Sequence, residues 1–311
     1  MNTIKLSVVI PVYNNQESLP ELINGLSKVQ KELDFQIEVV FIIDGSPDKS
    51  YDQLLKLIPL NGFEFQVITL SRNFGSLSAI REGLKIVRGE NVACISADMQ
   101  DSPSILIEFY KKLSSEKFDV VVGNRISRSD GLLNNLTARI YWKFYRTFVN
   151  RKIPYGGADI FAINFRVLKQ INSLTEQNTS LVGLLYWVGF RRGLVDYERM
   201  KRKHGKSGWT FLKKVRYLED SIFSFTNLPV VFLQTIGAFG VIISFIISFS
   251  VLIYRFYSPA PVPGYTALMI TILASTSSIL FGLGIIGSYT WRAYENTKNR
   301  PTAIIESHEK Y

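Results

Sequence analysis

The stretch LSVVIPVYNN, Leu6–Asn15, decides how this chain begins to fold. Leu6–Val12 is an apolar run of β-type residues, ended by Pro11 and the Tyr13-Asn14-Asn15 turn. Helical periodicity follows over Ser18–Leu33, with Leu19, Leu22, Ile23, Leu26 and Val29 on one face. The alternation continues with a strand over Ile37–Ile43, a helix over Asp48–Leu57, a strand over Phe65–Leu70, a helix over Ser76–Val87 and a strand over Asn91–Ser96. This order predicts an α/β domain with a mostly parallel sheet and helices on both faces. Ligands of such sheets lie outside the carboxyl ends of the strands. Function is therefore expected just after Val12, Ile43, Leu70 and Ser96.

Polar residues gather in those four places: Pro11-Val12-Tyr13-Asn14, Asp44-Gly45-Ser46-Pro47-Asp48, Ser71-Arg72-Asn73-Phe74-Gly75 and Ala97-Asp98-Met99-Gln100-Asp101. A single aspartate at a strand end is commonly a helix cap or a turn former, and Asp48 reads as one. Four such ends on one sheet read as one site. Asp101 reads equally as a carboxylate of that site and as a cap before Pro103.

The other end of the chain has a different character. Val230–Tyr254 is uncharged, with scattered Ser, Thr and Gln, and Thr266–Tyr289 is similar, with Gly282, Gly284 and Gly287 on it. A membrane-spanning helix needs about 20 apolar residues, so both runs are expected to span a bilayer, as a hairpin joined by the proline-rich connector Arg255–Tyr265. Lys and Arg crowd Arg191–Arg216 and recur at Arg292, Lys298 and Arg300, whereas the connector offers Arg255 alone. By the excess of positive charge on the cytoplasmic side, the expectation is a multi-pass protein of the cell membrane with its catalytic domain and both termini cytoplasmic. The single cysteine, Cys94, cannot form an internal disulfide, which fits a reducing compartment.

The expected domains are a catalytic domain over 1–208, an amphipathic juxtamembrane helix over 209–229, the two spans within 230–291 and a tail over 292–311. Within the first domain, 132–150 carries Leu132, Leu136, Ile140, Tyr141, Phe144, Tyr145 and Phe148 interleaved with basic residues. It reads as an amphipathic helix lying in a membrane interface or packed on the core. The formal net charge of +10 suits anionic lipid headgroups and phosphorylated substrates. Nucleic acid is not an expected partner.

The combined pattern VVIPVYNN, IIDGSPDKS, LSRNFG and ISADMQDSP resembles the family-2 glycosyltransferases of GT-A fold, a Rossmann-like α/β domain. More narrowly it is similar to polyprenyl-phosphate glycosyltransferases, the group of dolichyl-phosphate mannose synthases and bacterial undecaprenyl-phosphate glucosyltransferases. The resemblance covers nearly the whole chain. It implies inverting transfer of a hexose or N-acetylhexosamine from a UDP-sugar to a polyprenyl phosphate, with UDP-glucose the first expectation, UDP-N-acetylglucosamine the second and GDP-mannose the third. A catalytically silent nucleotide-sugar-binding scaffold or sensor is the alternative.

The resemblance also implies roles. Pro11 and Tyr13 would line the nucleobase pocket and Asp44 would hydrogen-bond the uracil, with Arg72 and Ser96 completing the nucleotide site. Asp98 would bind Mg²⁺ or Mn²⁺ beside the diphosphate, with Gln100 as a second contact; hard cations of this kind need only one or two protein carboxylates when phosphate oxygens complete the shell. Two departures stand out. Asn15 stands where many relatives have an acidic residue, and Ser96-Ala97-Asp98 where many have an Asp-x-Asp, which weakens metal binding or hands more of it to Gln100 and phosphate.

For the acceptor, Val120–Val122 reads as a buried strand leading to Arg125 and Arg128, whose planar donor forks suit phosphate. The turn Tyr155–Asp159 carries Asp159, which the resemblance places beside the acceptor phosphate and sugar as a base or as a group orienting sugar hydroxyls. Arg199–Trp209 resembles a family segment with Gly208 in place of Lys, and implies diphosphate contacts from Arg202 and Ser207. The chain's two histidines are far apart, so a histidine-based zinc site has no support. The glycines of the second apolar run would allow packing between subunits, hence a possible homo-oligomer, or within one chain.

Overall fold

The computed structural model describes residues 4–57, 63–128, 142–143, 145–147, 150–154, 159–176, 179–200, 211–257 and 264–311. The chain divides into two compact units, one built from Met1–Leu218 together with Arg300–Tyr311, the other from Glu219–Asn299.

The first unit is organised by an eight-stranded sheet: β1 (Leu6–Val12), β2 (Glu38–Ile43), β3 (Glu64–Leu70), β4 (Asn91–Cys94), β5 (Val120–Arg128), β6 (Phe161–Asn164), β7 (Arg192–Arg199) and β8 (Ile305–Lys310). Their spatial order is β7-β5-β6-β4-β1-β2-β3-β8. β1 pairs in parallel with β2 and β4, and β2 with β3. β6 runs antiparallel to both β4 and β5, while β5 and β7 are parallel. The carboxyl ends of β1–β5 and β7 therefore share one rim with the start of β6.

The helices of this unit are α1 (Leu19–Leu33), α2 (Ser50–Leu57), α3 (Ser76–Ile86), α4 (Ile105–Ser114), α5 (Phe165–Ser173) and α6 (Leu181–Trp187). Alternate residues of β1 and β2 explain the two layers. Leu6, Val8, Ile10, Val12, Val39 and Phe41 join Leu22, Leu26, Leu106 and Phe109 of α1 and α4 in one cluster. On the opposite face α3 lies so close that a Cβ at Gly83 would sit 2.6 Å from Val9 Cγ1 and 2.7 Å from Ile42 Cδ1. After the buried Glu38, residues Val39–Ile43 of β2 read as a continuous apolar run, as a strand covered on both faces should.

Two stretches of this unit add to the sequence reading. The expected C-terminal tail is not a free appendage: Ile305–Lys310 forms β8, antiparallel to β3 at the sheet edge. Most of the expected helix over 132–150 lies outside the described residues. Its described Tyr145 is fully buried, with its hydroxyl 3.2 Å from Ser180 Oγ, so this stretch packs into the domain at that point.

The second unit contains α8 (Leu228–Tyr257) and α9 (Tyr265–Thr297), and the unit boundary falls within α7 (Phe211–Phe225). α7 is a helix within the stretch 209–229, before the apolar runs. α8 and α9 meet at Phe232 and Phe281, edge to face with ring centroids 6.4 Å apart, and at Gly282, where a Cβ would lie 3.8 Å from Leu233 Cδ2. Arg292 pairs with Asp220 at 2.8 Å and lies over the Phe223 ring. The expected transmembrane hairpin is corrected here. Among the described residues no helix is long and apolar enough to cross a membrane. The same finding overturns the multi-pass cell-membrane localisation and the cytoplasmic placement of catalytic domain and termini that was drawn from it.

Candidate active site

The rim is built loop upon loop. Asp44, 2% exposed, follows β2 directly and is tied to four residues of the rim. Its amide donates to the Val12 carbonyl, its carboxylate accepts from the amides of Phe74 (2.7 Å) and Gly75 (2.9 Å), and its carbonyl accepts from Asn73 Nδ2. Gly45 follows at φ +56°, and a Cβ there would lie 2.3 Å from the Arg72 carbonyl carbon. Only glycine fits where the β2 and β3 loops press together. Asp44 thus holds the β3 loop through both of its oxygens, in addition to the uracil contact expected of it.

Asp48 does the same between the β1 and β2 loops. It accepts from Ser46 Oγ (2.6 Å), the Ser50 amide (3.1 Å) and the Gln16 amide (3.0 Å). Burial pushes its carboxyl up, but the hydrogen bonds from Ser46, Ser50 and Gln16 outweigh it and hold the group below the usual carboxylate range. The capping role read from the sequence is thus joined by a cross-loop tie. Tyr13 is exposed beyond Pro11, and the Arg72 guanidinium lies 4.0 Å from the centre of the Phe74 ring. Pro11, Tyr13, Asp44 and Arg72 occupy the β1–β3 part of the rim.

Ser96, Asp98, Gln100 and Asp101 follow β4, the neighbour of β1, and Ser18 Oγ at the start of α1 donates to the Ala97 carbonyl at 2.7 Å. Ser96 Oγ lies 2.8 Å from both Asp98 Oδ1 and Asp101 Oδ2, and the Gln100 amide donates to Asp98 Oδ1. A hydroxyl has one hydrogen, so Ser96 satisfies one carboxylate at a time unless Asp101 itself carries a proton. Burial pushes Asp101 up, against the opposing pull of Arg199 and the Ser96 hydrogen bond. Its Oδ1 is buried without a hydrogen-bond partner.

The third part of the rim joins β5, β7 and the start of β6. Arg125 is almost completely buried and pairs with Asp159. Burial alone would lower the Arg125 pKa; the Asp159 carboxylate beside it raises it instead. Arg199, the last residue of β7, reaches Asp159 Oδ2 at 3.3 Å and Gln100 Oε1 at 2.8 Å, with its Nε 4.0 Å from Asp101 Oδ1. Gln100 and Met200 bond reciprocally through Met200 N to Gln100 O and Gln100 Nε2 to Met200 O. One hydrogen-bonded cluster therefore links Ser96, Asp98, Gln100 and Asp101 after β4 to Arg125, Asp159 and Arg199.

Of the expected site residues, Ser96, Asp98, Gln100, Arg125 and Asp159 lie in this one cluster. Arg128 ends β5 opposite Arg199 in the register. Arg202 and Ser207 lie outside the described residues. Arg199, Tyr197 and the full engagement of Asp101 were not singled out. The signal for Arg199 is its place at the head of the family-like segment Arg199–Trp209, in which the expected contacts fall on Arg202 and Ser207 instead.

A model of glycosyl transferase family 2 matches residues 7–172. The chain is a family 2 glycosyltransferase. It is similar over its length to curated glycosyltransferases: 33% identical over 304 residues to an uncharacterized glycosyltransferase of Synechocystis sp., covering 97% of this chain and 95% of that one. It is 31% identical over 304 residues to the SfII prophage-derived bactoprenol glucosyl transferase of Shigella flexneri, covering 97% and 98%. Among solved structures it resembles glucosyl-3-phosphoglycerate synthase from Mycobacterium tuberculosis in complex with uridine-diphosphate, with TM-score 0.51 and 16% identity, over 70% of this chain and 79% of that one. The same enzyme in complex with Mn²⁺, uridine-diphosphate and glucosyl-3-phosphoglycerate gives TM-score 0.50 over 71% and 78%. This likeness supports the GT-A-like α/β fold of the glycosyltransferase.

The described residues gather no group of three or more His, Cys, Asp or Glu side chains fit to hold a metal by themselves. The donor set around Asp98 is nonetheless all hard oxygen, and a buried Asp101 oxygen lies in the same cluster. That set fits a divalent cation that shares its shell with phosphate. Gln100, expected as a second ligand, gives its side-chain oxygen to Arg199.

Proposed function

We propose that this glycosyltransferase moves a hexose or N-acetylhexosamine, first of all glucose from UDP-glucose, to a polyprenyl phosphate with inversion at the anomeric carbon. The observation that carries the reading is the single cluster joining Asp98 and Gln100 to Arg125, Asp159 and Arg199. The full-length similarity to bactoprenol glucosyl transferases supports the acceptor class.

Pro11, Tyr13 and Arg72 would face the nucleoside at the β1–β3 end, where Asp44 fixes the β3 loop. Asp98 would hold Mg²⁺ or Mn²⁺ with the donor's diphosphate, an arrangement that neutralises the leaving group. Arg125, Arg199 and Arg128 would meet the acceptor phosphate, joined by Arg202 and Ser207 on the diphosphate. In the transfer, a phosphate oxygen forms a bond to the anomeric carbon while the bond from that carbon to the diphosphate oxygen breaks, and UDP departs with the electron pair. The acceptor is already an anion, so the chemistry needs positioning and charge stabilisation more than a base. Asp159, bridged to two arginines, is suited to aim both guanidinium groups and orient sugar hydroxyls.

The test is transfer from labelled UDP-glucose, UDP-N-acetylglucosamine and GDP-mannose to undecaprenyl phosphate by purified full-length protein, with and without Mg²⁺ or Mn²⁺. Lipid-linked product from one UDP-sugar, abolished by Asp98→Ala, supports the reading. UDP binding without transfer from any donor would favour a silent sensor and overturn it.

A further inference from the structure

The β3 loop holds the donor end of the site, and its other side is fastened to the far end of the chain. The Ser71 amide, first after β3, donates to the Ile304 carbonyl at 3.0 Å, just before β8 begins. Thr302 Oγ1 donates to Glu82 Oε1 on α3, the helix that the loop enters, at 2.7 Å. The pairing of β3 with β8 shifts register between Thr69 and Leu70, so the irregularity falls next to the loop. Phe65 and Tyr311 exchange both backbone bonds at the other end of the ladder. Alternation then makes Val67 with Glu309, and Thr69 with Ser307, bonded pairs as well.

Side chains lock the same strand. Tyr51 of α2 donates to Glu309 Oε1 at 2.6 Å. His308 Nε2 lies 2.7 Å from Gln66 Oε1, and Gln66 Nε2 donates to the buried Glu38. The Ser71 bond meets the loop that carries Arg72, Phe74 and Gly75, the Thr302 bond meets the helix that follows it, and the remaining contacts hold β8 against β3 and α2.

We propose that Thr302–Lys310 is a positioning strap for the nucleotide-sugar donor. It holds the Ser71–Gly75 loop from outside, while Asp44 holds it from inside, so that the loop is formed before the donor arrives. The inference rests on the reading of this rim as a UDP-sugar site. A preformed loop lowers the ordering cost of binding, so loosening the strap weakens donor binding and leaves the transfer step largely intact.

The experiment compares full-length wild type with Ser307→Pro, which removes the last bonded amide before the bulge, and with Thr302→Val, which removes only the hydroxyl contact. UDP affinity by calorimetry, donor KM and kcat, thermal melting, and hydrogen exchange at Phe74 and Gly75 are measured on each. The expected result is about tenfold weaker UDP binding for Ser307→Pro and about threefold for Thr302→Val, a matching rise in donor KM, little change in kcat, and faster exchange at both amides. A lowered melting temperature with unchanged UDP affinity overturns the strap and leaves an edge cover. If Ser307→Pro fails to fold, Thr302→Val decides alone: unchanged affinity overturns the proposal. Absence of UDP binding by wild type overturns the underlying reading of the site, and the strap with it.

Discussion

Arg199 Nη1 lies 3.3 Å from Asp159 Oδ2, so the last residue of β7 meets the turn that leads into β6. The same guanidinium donates to Gln100 after β4. One side chain therefore sets the spacing between the carboxylate region and Asp159. A lysine offers a compact charge in place of this fork, so Arg199→Lys cannot serve both partners. Arg199→Lys is expected to lower kcat about 10²-fold, within the range for losing one preorganised charge-stabilising donor, while UDP affinity by calorimetry changes less than threefold. Equal loss in both would place Arg199 on the donor instead.

Asp44 accepts two amides with two oxygens. In Asp44→Asn, one of those oxygens becomes a donor facing an N–H, which leaves Phe74 or Gly75 without an acceptor. An unpaired buried amide costs about 1–3 kcal/mol. The variant is expected to melt several degrees lower and to bind UDP at least tenfold more weakly. Gly45→Ala should be more severe, because its Cβ collides with backbone at Arg72 and its φ is left-handed. Differential scanning fluorimetry and titration with UDP check both.

Much of this was legible in the sequence because it is local. The strands from Leu6 to Cys94 announce themselves by apolar runs and by Pro and Gly at their ends, and Asp98 and Arg125 stand just past such runs, whereas Asp159 is singled out by the family resemblance alone. What was missed is what distant pairing creates. Ile305–Lys310 reads IESHEK, polar at every position after Ile305, and nothing in it names Gln66–Leu70 as its partner across the intervening helices. Arg199 lay in a crowd of basic residues, and only the parallel register of β5 with β7 brings it to Asp159. Asp44 was read as a ligand for the base; its loop-clamping role depends on the amides of residues some thirty positions away. For α8 and α9, composition alone argued for a bilayer, and the described helices do not bear that out.

Metal dependence follows from the donor set at β4. With Ser96 in place of a second carboxylate, Asp98 supplies the main anionic oxygen, so affinity for a free divalent cation is expected to be weak and strengthened by UDP, whose phosphates complete the shell. Titration of Mn²⁺ alone should show little binding, with saturation appearing once UDP is added. Ser96→Asp should raise Mn²⁺ affinity without nucleotide. Chelation should abolish transfer and restore it on readdition; transfer that persists in excess chelator would remove Asp98 from a metal role.

Glu38 gives the fold an acid limit. It is wholly buried at the start of β2 and accepts from Ser7 Oγ, the Arg88 amide, Arg88 Nε and Gln66 Nε2. Burial pushes its carboxyl up, but the hydrogen bonds from Ser7, Arg88 and Gln66 prevail and hold it below the ordinary value of 4.5. A carboxylate with a depressed folded pKa contributes stability that is fully present above its unfolded value and is lost as pH falls through the folded one. Wild type should therefore lose melting temperature as pH drops below about 4.5. Glu38→Gln removes the charged acceptor from Arg88 and should cost about 2 kcal/mol at neutral pH, in the range of hydrogen bonds to charged groups. For a domain of this size that is about 4–8 °C. The gap between variant and wild type should narrow steadily below pH 4.5, because protonation takes from the wild type what the substitution has already removed. A gap that stays constant from neutral pH into acid would show that the Glu38 charge contributes nothing to holding β1, β2 and β3 together.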